Sequence, residues 1–141
     1  VIPEINWLAV VLATVSSMVV GSIWYAKAVF GKRWMRLAKI DESTMGNGVG
    51  AIITTIIVSF VTAAILAGAA AIAQNFYGGN FLVTTLVTAI ILWAGFTAAR
   101  VITHDAFERR PAALTTLTIA HEFVTIVVMA LIIGLFGISA A

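Results

Sequence analysis

Of the 141 residues, 62% are hydrophobic and 10% are charged, where soluble domains carry about a quarter charged residues. The formal charge is +2, the mean hydropathy is +1.10 and there is no cysteine. These values exclude a soluble globular domain, a disulfide-built fold and any thiolate chemistry.

Four apolar runs follow one another along the chain: Ile5–Ala26, Val49–Ile72, Phe81–Ile102 and Leu114–Ile138. Each reaches the roughly 20 residues that a helix needs to cross about 30 Å of hydrocarbon. They take up most of the chain, so residues 1–141 read as a single four-helix transmembrane domain. The first run is preceded by Pro3 and Glu4 and followed, not preceded, by its basic residues. That order is the reverse of a cleavable signal peptide, so the run is expected to stay as a span.

The first helix carries small residues at every fourth position, Ala9, Ala13, Ser17 and Gly21. The second repeats the pattern with Thr55, Ser59, Ala63, Ala67 and Ala71. Residues four apart share a helix face, and small faces let backbones approach in lipid. Both ladders are expected in a bundle interior or a subunit interface. Since four helices that also need a lipid side have few inner faces, one ladder is expected to remain for a partner.

Between these helices, Val29–Ile40 reads as a short amphipathic helix. Phe30, Trp34 and Leu37 fall on one face, while Lys32, Arg36 and Lys39 project from the other, next to Arg33. Such a segment lies in the membrane interface with its apolar face among acyl chains and its cations on lipid headgroups. Trp24 and Tyr25 belong to an interfacial aromatic belt. Gly46, Gly48 and Gly50 alternate in the approach to the second span, but no strand precedes them and no Gly-Lys-Ser/Thr follows. A phosphate loop is thereby excluded in favour of a flexible entry.

The second and third spans are joined by the short Gln74–Asn80 connection with its Gly78-Gly79 turn, which predicts adjacent antiparallel helices. Trp93 and Phe96, near the middle of the third span, are expected to pack against neighbouring helices. The connection Thr103–Pro111 holds His104, Asp105, Glu108, Arg109 and Arg110, and Pro111 suits the first turn of the last helix. Phe-x-basic-basic occurs in both basic connections, as Phe30–Arg33 and Phe107–Arg110, a faint trace of internal duplication.

All eight Lys and Arg residues lie in or beside these two alternate connections. Basic residues flanking spans are retained on the cytoplasmic face. The expected fold is therefore an all-α integral membrane protein: a four-transmembrane-helix bundle, N-out/C-out, with a short amphipathic interfacial helix between helices one and two. With every cation on one membrane face, anionic lipid is the counter-charge and nucleic acid is not.

Glu122 is the most unusual residue, a carboxylate inside the last apolar run beside His121. At 1.5 Å per residue from Pro111 it sits roughly 6–12 Å inside the boundary, where an ionisable group faces protein or a water-filled cavity. Thr118, Ala130 and Gly134 share its face. Two uses are open: proton coupling or substrate contact, and a structural pair with Arg100, Lys27 or His121. His121-Glu122 is not a zinc-protease helix, because Thr125 stands where the second histidine would be. His104, Asp105, Glu108, His121 and Glu122 are types that suit zinc or manganese, but their spacing imposes no ligand geometry, so no metal and no cofactor is expected. The serines form no nucleophile–base set.

Gly21-Ser22-Ile23-Trp24-Tyr25 followed by Val29-Phe30-Gly31-Lys32-Arg33-Trp34-Met35 resembles the signature of a bacterial membrane family, the domain-of-unknown-function family numbered seventeen sixty-one. The run from His104 to Pro111 and His121 resemble that family's pattern too. One departure is Ala26-Lys27, where the pattern has Ser-Pro, which leaves any kink supplied by the proline in question. The resemblance implies a compact four-helix membrane protein and no particular reaction. Among its motif residues, His104, Glu108 and His121 stand out; Arg100, Asp105 and Glu122 complete the candidate polar set.

Small-residue ladders, a sparse polar interior and the lack of room for a soluble domain lead to the expectation of a non-enzymatic accessory subunit. It would dock onto a larger transport complex in the bacterial inner (plasma) membrane. The alanine-, valine- and threonine-rich composition points to a high-GC bacterium, where lipid importers of the mammalian-cell-entry type are multi-subunit assemblies. The alternatives are a small homo-oligomeric transporter or channel using Glu122, and a lipid-modifying membrane enzyme using the His/Asp/Glu cluster.

Overall fold

The computed structural model describes residues 3–139. Its long helices are α1 (Trp7–Trp24), α3 (Val49–Tyr77), α4 (Phe81–Phe107) and α5 (Ala112–Phe136), with a short α2 (Lys32–Ala38) between the first two. The four long helices are apolar enough to cross a membrane, and no strand occurs among the described residues. Large apolar side chains point outward all along the bundle, among them Ile23, Ile57, Ile65, Ile91 and Leu135. That outside is suited to hydrocarbon.

Helix α1 packs on α3 and α5, and α4 packs on α3 and α5 from the other side. Alanines make this close approach possible: Ala9, Ala13, Ala63, Ala67, Ala89 and Ala130 share the core with Val10, Leu66, Met129 and Ile133. The helix ends are tied by side-chain amides. Asn6 accepts from the Ala9 N–H (3.2 Å) and donates to the Phe136 carbonyl (3.4 Å), capping α1 and joining it to the end of α5. At the same end, Gly78 and Gly79 turn at φ 68° and 86°, and Asn80 caps α4 by accepting from Val83 N–H (3.3 Å). This tight turn makes α3 and α4 the expected adjacent hairpin.

The two ladders meet each other. Ala9, Ala13, Ala63, Ala67 and Ala71 are all buried, so neither ladder is left wholly free for a partner. The alanines of both ladders are taken up inside the bundle, while Thr55 and Ser59 of the second are not. The ladders separate only at the basic end. From Val49 to Thr62 every residue of α3 is exposed except Ser59, which is half-buried. Helix α3 thus leaves the bundle over about four turns.

Two further differences concern the basic connections. Helix α4 runs through Phe107, so His104 and Asp105 are helical and the turn is confined to Glu108–Pro111, with Arg109 at φ 54°. The first connection begins with a π-helical turn, Lys27–Gly31, before α2. Its Phe30 ring lies 4.6 Å from that of Trp24, and Trp34 meets Tyr25 edge-on at 5.1 Å. Those faces rest on the protein's own aromatic residues where acyl chains were expected. Lys32, Arg33, Arg36 and Lys39 are exposed on the other side.

Candidate functional site

Helix α1 ends at Trp24 and the chain is extended at Ala26 (φ −61°, ψ 141°), so the break occurs without a proline. Gly31 makes the following turn possible. Its N–H donates to the Ala26 carbonyl at 2.9 Å, and a Cβ there would run into the Tyr25 carbonyl oxygen and the Ala26 backbone. The turn sends Phe30 and Trp34 back onto Trp24 and Tyr25.

His121 of α5 completes this aromatic group. Its ring centroid lies 5.8 Å from Trp24 and 5.0 Å from Tyr25. Gly21 lies beside it, and a Cβ at that position would be in ordinary contact with His121 Nε2 at 3.7 Å. Nε2 lies 3.4 Å from Thr125 Oγ1, and Nδ1 lies 3.4 Å from Glu122 Oε1. The indole N–H of Trp24 is buried with no acceptor among the described residues.

Glu122 and His121 open into a cleft of about 590 Å³ between α1, α3 and α5, created where α3 leaves the bundle. Its α1 wall is Ser17, Met18, Gly21, Ser22 and Tyr25, and its α3 wall includes Thr55 and Ser59. The inner ends of both small ladders therefore line the cleft instead of packing together. Glu122 shares it with Thr125 and Met129 of α5. Of its expected companions, Thr118 lies elsewhere, while Ala130 and Gly134 are buried nearer the other end. Neither Arg100 nor Lys27 reaches it: Lys27 pairs with Glu42 across the first connection.

The remaining polar candidates form a second group. Arg100, His104, Asp105 and Glu108 line a shallower cavity of about 380 Å³ with Phe96, Arg110 and Thr118. Asp105, only 8% exposed, accepts a 2.7 Å hydrogen bond from Thr115 Oγ1 and lies 3.8 Å from Arg110 Nε. Arg110 also bonds Glu108 at 2.5 Å. This arrangement ties the end of α4 to the start of α5. The five His, Asp and Glu residues thus divide between two places, and no group of three that suits a metal ion forms among the described residues.

Part of the resemblance comes together here: Gly21, Trp24, Tyr25, Phe30 and Gly31, from one stretch, form a packed unit with His121 from the last helix, while the His104–Pro111 run lies in the second group. The model of the family described as "Protein of unknown function (DUF1761)" matches residues 8–134. The chain belongs to that family. The matched stretch spans all four long helices and both polar groups, so the aromatic unit and the cleft both fall within the family domain. No curated protein and no solved structure matches the chain.

Three features of the site were not read from the sequence. The cleft itself depends on where α3 diverges, which no local pattern encodes. Trp93 was expected to pack and does, lying edge-on to Phe123 at 4.8 Å and donating its N–H to the Ile119 carbonyl (3.0 Å). Phe96, expected to pack with it, is 74% exposed because the π-helical turn Trp93–Ala98 rotates the two residues onto different faces. The need for Gly31 was legible only as a motif letter.

Proposed function

We propose that this protein is an accessory subunit that docks onto a larger bacterial transport assembly in the plasma membrane. In this reading both termini lie outside and the two basic connections face the cytoplasm, as the segregation of Lys and Arg favours. The observation that carries the docking is the largely exposed stretch of α3 from Val49 to Thr62, which touches α1 through the stacking of Phe60 on Trp7. On the side of α3 away from the polar cleft, Val11, Val15, Ile56, Ile57, Phe60 and Val61 form an apolar trough of about 410 Å³ between α1 and α3. A trough between two diverging helices offers a third helix close packing along both, the main source of helix affinity in lipid. The occupant is a transmembrane helix of the larger assembly, for which an importer of lipids remains the working identity.

A tagged copy isolated from native membrane in mild detergent tests this reading. Larger membrane subunits should co-purify with the parent. The double variant Val15→Trp, Ile57→Trp fills the trough without touching the buried alanines, and should lose them while remaining monodisperse. Recovery of the parent without other subunits would remove the reading.

One observation favours a second reading, a small homo-oligomeric transporter: Glu122 opens into the cleft with no lysine or arginine within 4.0 Å. Substrate flux catalysed by the purified protein alone in liposomes, with no partner in native membrane, would replace docking by transport.

A further inference from the structure

The cleft beside Glu122 has an unusual polarity. The hydroxyls of Ser17, Ser22, Thr54, Thr55 and Thr62 line it, and each donates its proton to a carbonyl of its own helix at 2.7–3.0 Å. A hydroxyl has one proton and two lone pairs, so what these groups still offer is acceptor capacity. The strongest acceptor in the cleft is the Glu122 carboxylate, whose side chain is 44% exposed into it. Its one basic neighbour among the described residues is His121, at 3.4 Å, and the other side of that imidazole is occupied by Thr125. Tyr25 also lines the cleft, its ring packed on His121 and Trp34. Ser59 adds one more hydroxyl, and Met18, Ile52, Val58 and Met129 make most of the remaining lining apolar.

Hydroxyl acceptors, one carboxylate with no lysine or arginine beside it among the described residues, and a largely apolar remainder select a positively charged head on an apolar body. An anion would meet repulsion here, and a neutral lipid chain would leave the carboxylate unpaired in hydrocarbon. We infer that the cleft binds the protonated amine of an alkylammonium amphiphile, its N–H groups on Glu122 and the α1 and α3 hydroxyls and its chain along Met18 and Met129. The volume of about 590 Å³ falls within the range of small-molecule sites. The ammonium has two sources, the ethanolamine headgroup of a phospholipid or a free amine. This site rests on neither functional reading above, and it lies on the opposite side of α3 from the docking trough.

The test uses the full chain in phosphatidylcholine nanodiscs, with octylammonium as probe and octanoate and octanol as controls, followed by calorimetry and thermal unfolding. Octylammonium should bind and raise Tm, and the two controls should not. Glu122→Gln should weaken binding about tenfold or more, the loss expected for a charge-assisted hydrogen bond. Thr55→Val, on the exposed part of α3, removes one acceptor without disturbing the core and should weaken it about threefold. Replacing a third of the lipid by phosphatidylethanolamine separates the sources. Competition with octylammonium assigns the site to the headgroup, and unchanged binding assigns it to free amines. Equal binding of octanoate, no binding of octylammonium, or unchanged affinity in both variants overturns the inference. Loss of partner subunits on filling the trough is a separate result, because Val15→Trp, Ile57→Trp leaves Glu122 and Thr55 in place.

Discussion

Gly134 of α5 lies so close to Leu82 of α4 that a Cβ on the glycine would come within 2.7 Å of Leu82 Cδ1 and 2.8 Å of its Cα. The second of these contacts is with backbone, so the clash cannot be relieved by a rotamer change. Gly134→Ala should therefore push the helices apart at the core and cost about 1–3 kcal/mol, as overpacking does. Gly50 has nothing within 4 Å of its Cβ position and lies in helix. Gly50→Ala should be neutral or stabilise by up to about 1 kcal/mol. Thermal unfolding in detergent distinguishes the two, and equal Tm values would contradict the close approach.

Asp105 depends on Thr115 for its hydrogen bond across the α4–α5 connection. Thr115→Val keeps the shape and removes the donor from a buried carboxylate. It should cost about 1–3 kcal/mol. Thr116, which is exposed and bonds its own helix at the Ala112 carbonyl, gives the control: Thr116→Val should be close to neutral. A Thr115 variant as stable as the Thr116 variant would show that Arg110 alone satisfies Asp105.

Trp93 anchors α4 to α5 through its hydrogen bond to the Ile119 carbonyl. Trp93→Phe retains an aromatic ring against Phe123 and loses the donor, at about 1 kcal/mol. Phe96→Leu, on the exposed side of the same turn, should leave stability unchanged. A larger effect at Phe96 than at Trp93 would mean that the turn is rotated.

Single cysteines at Asn75 and Ser43, both exposed and at opposite ends of the bundle, test the proposed orientation. An impermeant thiol reagent should label Asn75→Cys in intact cells and spare Ser43→Cys. The reverse pattern would invert the molecule, and with it the assignment of the basic connections.

Lys32, Arg33, Arg36 and Lys39 are exposed along α2 and its cap. Changing all four to glutamine should reduce the anionic phospholipid retained by the purified protein, by roughly 1 kcal/mol of attraction per charge near a membrane surface. The difference should shrink in high salt. Retention unaffected by the substitutions would place these residues against protein.

The four long helices were legible because each is an apolar run of membrane-spanning length. Their ends were less so. The apolar run of the third span stops at Ile102, yet α4 continues to Phe107, since a helix terminates where the backbone turns at Glu108–Arg109 and not where side chains become polar. The ladders Ala9–Gly21 and Thr55–Ala71 were visible as faces, but spacing within one helix cannot say which face it meets. His121 and Glu122 stood out as polar residues in an apolar run. That His121 sits on Trp24 and Tyr25, and Glu122 opposite Thr55, required the tertiary arrangement.

Helix α3 has 29 residues, about 43 Å of length, against a hydrocarbon core of about 30 Å. A helix longer than the bilayer tilts, and tilts further as the bilayer thins. Here Ala63, Ala67 and Ala71 clamp the half near the Gly78-Gly79 turn, while the half before Thr62 is largely exposed and touches α1 through the stacking of Phe60 on Trp7. In a bilayer, tilt would therefore fall mainly on the exposed arm before Ala63. Membrane thickness would then be a mechanical input to how wide the mouth beside Glu122 stands.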